Sequence, residues 1–133
     1  MVLVKAYAGA LIAFLVIDIV WITLVVRPMY DQQVGGMLRE TPQMVGASLF
    51  YLAYAAGIVY FAVLPALSEG GLGAALLKGA VFGVLAYGTY AFTNYAVLDG
   101  WTMKLVVADV VWGGVLTAMT AAAGLYCARL GGA

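Results

Sequence analysis

Four long apolar stretches, separated by short polar breaks, set the pattern of this chain. A membrane helix needs about 20 mostly apolar residues to cross roughly 30 Å of hydrocarbon. Ala6–Val26, Met44–Leu64, Ala74–Val97 and Leu105–Cys127 each meet that length. Lys5 and Arg27 bracket the first span, and the second follows Pro42 and stops at Pro65. The third begins after the turn Glu69-Gly70-Gly71-Leu72-Gly73, and the fourth runs from Lys104 to Arg129. The first run is too long for a signal peptide, lacks a small-residue cleavage site and contains Asp18, so it is read as an uncleaved helix. The expected fold is all-α: one membrane domain over residues 1–133, an integral bundle of four transmembrane helices.

The breaks between spans are short. The longest, Arg27–Gln43, places Tyr30, Val34, Met37 and Leu38 at helical spacing and fits a short interfacial amphipathic helix. Gly35-Gly36 weakens any such helix, so an ordinary loop is an equal alternative. Pro65–Gly73 reads as a plain turn, and Asp99-Gly100 marks another. Tyr7, Tyr30, Tyr95, Trp101 and Tyr126 lie near span ends, as interfacial anchors do.

Composition agrees and removes whole classes of function. Of 133 residues, 66% are hydrophobic and 9% charged, too few charges to coat a soluble core. Net charge is zero with no basic patch, which argues against a nucleic-acid partner. One Cys excludes an internal disulfide framework, and the absence of His argues against a transition-metal site. Lys5, Lys78 and Arg129 fall on the side of the termini, and Arg27, Arg39 and Lys104 on the other. That tie leaves the positive-inside rule silent and permits insertion in both orientations.

Two carboxylates break the apolar pattern. At 1.5 Å per residue, Asp18 is about 13 Å inside Arg27 and Asp109 roughly 7–8 Å inside Lys104. Both belong to the same half of the membrane. A central Asp facing lipid costs about 2.5–3.5 kcal/mol, so both are expected to point into the bundle. Each begins the same pattern, Asp18-Ile19-Val20-Trp21 and Asp109-Val110-Val111-Trp112, with Asp and Trp on one helix face. The two helices run antiparallel, which makes Asp18 level with Trp112 and Asp109 level with Trp21. An indole N–H only donates, so a crossed pair of Asp–Trp contacts is expected.

The other spans add to the same layer. Gly83, Tyr87, Tyr90 and Asn94 share a face of the third, with Thr93 beside them, and the second brings Ser48, Tyr51 and Tyr54. The opposite half offers mainly Ala, Gly, Leu and Val. Small residues four apart let backbones approach, as at Ala75-Gly79-Gly83, Ala53-Gly57 and Gly114-Ala118-Ala122.

Asp-x-x-Trp in the first span, the run Phe50-Tyr51-Leu52-Ala53-Tyr54-Ala55-Ala56-Gly57, Tyr90-x-x-Thr93-Asn94 and Asp109-x-x-Trp112-Gly113 together resemble a family of small membrane proteins, domain of unknown function 2177. The resemblance covers nearly the whole chain. It implies a four-helix protein of the bacterial inner membrane and implies no activity.

Three functions fit these residues. The first is binding or transport of an amphipathic small molecule or lipid in a polar, aromatic-lined layer. Asp18, Trp21, Tyr51, Tyr54, Tyr87, Tyr90, Thr93, Asn94, Asp109 and Trp112 are its binding or proton-relay candidates. The second is an accessory or assembly subunit of a larger membrane complex, with a homodimer as a further possibility and membrane lipids as partners in any case. The third is an intramembrane lipid-modifying enzyme. Two carboxylates could do acid–base work, but no Ser or Cys shares a face with either Asp, so no catalytic residue is assigned. No cofactor or metal is assigned either. Against all three stands a structural role. Interhelical hydrogen bonds average about 0.6 kcal/mol, too little to offset a central Asp, and Ser or Thr would supply such a bond at less cost.

Overall fold

The computed structural model describes residues 2–34, 36 and 44–130, and helix accounts for nearly all of them. Helix α1 (Val2–Trp21) passes through a π-helical turn at Ile22–Val26 into α2 (Arg27–Val34). Helix α3 (Met44–Ile58) passes through a second π-helical turn at Val59–Val63 into α4 (Leu64–Ser68). Helices α5 (Gly71–Val97) and α6 (Met103–Ala128) run without interruption. Among the described residues, four stretches are long and apolar enough to cross a membrane: Val2–Met29, Val45–Ser68, Gly71–Val97 and Met103–Ala128. The fold is therefore the expected all-α one.

Both π-helical turns have the same cause. Pro28 and Pro65 each sit two residues beyond one of them. A proline ring clashes with the carbonyl four residues earlier and supplies no N–H. Those carbonyls belong to Leu24 and Phe61, both inside the widened turns. A local π adjustment lets the helix continue through the proline. This corrects the expected stops at Arg27 and Pro65. The plain turn expected over Pro65–Gly73 shrinks to Glu69–Gly70, where Gly70 has φ of 95° and Gly71 of 58°. Glycine takes this left-handed backbone without steric cost. Helix α2 occupies the first half of the expected interfacial segment; Met37, Leu38 and Arg39 lie outside the described residues.

Helix α6 forms the centre, with α1 and α5 packed along it. Helix α3 lies on α1, and the second span reaches α5 mainly through Val59–Ser68. Buried positions recur every four residues. On α1 they are Ala6, Ala10, Phe14 and Asp18, and on the second span Tyr54, Ile58, Ala62 and Ala66. On α5 they are Ala75, Gly79 and Gly83, and on α6 Asp109, Gly113, Thr117, Ala121 and Leu125. Ridges four apart, built from small residues, allow close helix approach in lipid. A Cβ on Gly79 would lie 2.8 Å from the Thr117 carbonyl oxygen, and one on Gly83 would run into the Gly113 carbonyl. The Ala75-Gly79-Gly83 ladder is thus a true contact. On the second span Ala53 is exposed, because the Tyr54 stripe takes the inward face instead.

Lys5 donates to the backbone carbonyl of Leu130, which ties the start of α1 to the end of α6 and makes the two antiparallel. Of the expected interfacial anchors, Tyr95 and Tyr126 face outward. Tyr7 instead donates to the Leu52 carbonyl at 3.1 Å, and Trp101 packs edge-on against Tyr90.

Candidate functional site

The Asp18 side chain extends the buried stripe of α1, so the packing that hides Ala6, Ala10 and Phe14 also turns the carboxylate inward. Asp109 is inward for the same reason, one helical turn before Gly113. Each is only 6% exposed. Trp112 Nε1 donates to Asp18 Oδ1 at 3.2 Å, as the antiparallel register requires. The residues of the other half of the expected crossed pair, Asp109 and Trp21, line the same cavity. Trp21 stacks on Trp112, ring centres 4.1 Å apart and planes within 6°. Parallel indoles at that separation present faces to each other, and the stacked pair forms one wall of the adjacent cavity.

Around this wall is a cavity of about 420 Å³, within the range of roughly 300–1,000 Å³ usual for small-molecule sites. All four spans line it. The first contributes Asp18, Trp21 and Ile22, and the second Ala47, Phe50 and Tyr51. The third contributes Ala86, Tyr87 and Tyr90, and the fourth Asp109 and Trp112. These positions lie toward the end of the bundle where α5 finishes and α6 begins. A second hollow of about 280 Å³, lined by Val16, Ile17, Val20 and the same two indoles, is apolar throughout.

Tyr54 sits beneath the cavity rather than on its surface. Its hydroxyl shares a hydrogen bond of 2.8 Å with Thr117 Oγ1, and its ring contacts Phe14, Phe50, Phe82 and Tyr87. Gly113 makes room for Tyr87, since a Cβ there would lie 2.5 Å from the Tyr87 Cβ. Tyr51 meets Phe14 at 5.3 Å between ring centres. An aromatic cluster thus forms the floor under two carboxylates.

The structure brings together seven of the ten residues singled out from the sequence: Asp18, Trp21, Tyr51, Tyr87, Tyr90, Asp109 and Trp112. Tyr54 supports them from below. Thr93 and Asn94 do not line the cavity, and Thr93 is exposed. Ser48 is likewise exposed. Phe50 lines the cavity and Phe14, Phe82 and Thr117 buttress it, yet sequence reasoning gave none of them a site role. Two of these carried a signal, because Phe14 lies four residues before Asp18 and Thr117 eight after Asp109. Among the described residues no basic side chain, hydroxyl of Ser or Thr, or thiol lines the cavity. What the lining can do is accept hydrogen bonds at the carboxylates, donate or accept them at the tyrosine hydroxyls, hold positive charge or a proton, and stack against flat or apolar groups.

A family model described as "Predicted membrane protein (DUF2177)" matches residues 3–126. No curated protein and no solved structure matches the chain. With that match spanning all four helices, the chain belongs to the DUF2177 family of membrane proteins.

Proposed function

We propose that this multi-pass membrane protein binds or transports an amphipathic small molecule or lipid, using the cavity around Asp18 and the Trp21–Trp112 pair. The observation that carries this reading is the cavity itself, about 420 Å³, with a contribution from every span. A bundle held together only by polar glue would fill that layer with side chains. The shared indole wall suits an amphiphile. One face of the site offers carboxylates, and the neighbouring hollow against the same indoles is apolar. Asp18 is the group that exchanges a proton as ligand enters, the relay role of intramembrane carboxylates. The family resemblance favours the bacterial inner membrane as the location.

Ala86 lines the cavity with a small side chain, so Ala86→Trp fills it without replacing a carboxylate. Protein extracted in mild detergent is expected to carry a non-protein amphiphile visible by native mass spectrometry, and Ala86→Trp to lose it. Equal occupancy in both proteins overturns the proposal. An empty cavity together with a stable protein partner overturns it as well, in favour of an accessory subunit.

A further inference from the structure

The chemistry of the lining narrows the ligand class. Asp18 has one oxygen held by Trp112 and no hydrogen-bond partner for the other among the described residues. The carboxylate nevertheless lines an open cavity at membrane depth, where an unbalanced charge is costly. No basic side chain among the described residues lines that cavity to balance it. The surfaces around Asp18 are instead aromatic: the Trp21–Trp112 wall, Tyr51 and Tyr87. Aromatic faces attract organic cations, most strongly in a site shielded from water. A metal ion fits poorly by comparison, because Ca²⁺ takes about six to eight oxygens and most of this lining is carbon. Tyr hydroxyls and two carboxylates cannot provide such a shell.

We propose that the ligand is a lipophilic organic cation, a quaternary ammonium or phosphonium type of molecule whose charge faces Asp18 while its apolar groups rest on the indole wall. The proposal rests on the binding reading given above. It predicts selection by sign of charge at constant shape.

Tetraphenylphosphonium and tetraphenylborate supply that comparison, with triphenylphosphine oxide as the neutral probe. In Trp101→Phe protein in detergent, Trp21 and Trp112 are the remaining indoles and both lie at the cavity. Tetraphenylphosphonium is expected to quench their fluorescence saturably, with tetraphenylborate at least tenfold weaker. Asp18→Asn, which keeps the acceptor for Trp112, should weaken the phosphonium at least tenfold, and Asp18→Glu should restore part of it. Unchanged helicity and unfolding temperature of Asp18→Asn separate that loss from misfolding. Equal binding of the two ions, or full phosphonium binding by Asp18→Asn, overturns the cation class. Saturable binding of only the neutral probe overturns it too, yet leaves the binding site standing. If none of the three probes binds, both readings fall.

Discussion

Asp18 combines a structural bond with an open face. Trp112 satisfies one carboxylate oxygen at 3.2 Å, and the rest of the group borders the cavity. Interhelical hydrogen bonds in membranes are worth about 0.6 kcal/mol on average and at most about 1.7. Trp112→Phe removes the donor and keeps an aromatic ring against Trp21. It is expected to lower stability by about 0.6–1.7 kcal/mol, read from reversible unfolding in mixed detergent micelles. A larger loss would show that Trp112 holds the cavity wall rather than one bond. The Asp18–Trp112 contact was legible in the sequence because helix rise and antiparallel order fix depth. Thr93 and Asn94 were misplaced because depth does not fix the direction a side chain points.

At the scale of helices, the most extensive contact is α5 against α6, and two glycines of α5 make opposite predictions. A Cβ on Gly83 would strike the Gly113 carbonyl, which is backbone and has no rotamer to yield. Gly83→Ala is expected to cost about 1–3 kcal/mol, the usual range for overpacking. A Cβ on Gly88 meets Val110 only at 3.9 Å, an ordinary contact. Gly88→Ala should therefore be neutral or stabilise by up to roughly 1 kcal/mol, since helical Gly is poorer than Ala. Comparing the unfolding of the two variants checks the register directly. The α5 ladder was readable from its spacing of four, but of the one expected at Ala53 and Gly57 only Gly57 meets a neighbour, the Phe82 ring of α5, while Ala53 is exposed. Small residues permit close approach wherever they occur, and only the partner helix selects which face uses them.

For the molecule as a whole, the four spans place both termini at one end, where Lys5 meets Leu130. Basic residues near the spans tie between the two sides, counting Arg39, which lies outside the described residues. Such a tie gives insertion no direction. C-terminal reporters that are active on opposite sides of the membrane are both expected to give signal. Signal from one alone would assign a fixed orientation and set which side the cavity end faces.

By itself the amino-acid sequence determined the number of spans, their antiparallel order, and that Asp18 and Asp109 share one half of the bilayer. Length and apolarity decide these, because hydrocarbon thickness sets the length of a crossing helix and charge sets its ends. Tertiary structure decided which face of each span turns inward, and hence which residues border a cavity. The spans have almost no amphipathic asymmetry, since lipid outside is as apolar as the bundle inside. Hydrophobicity therefore carries no information about facing. Shape does: glycine meeting a carbonyl, an alanine stripe ending in Asp18, and π-helical turns that carry two helices through proline. Those fits exist only between helices, and the open space they leave beside the stacked indoles is where the chemistry of this protein is placed.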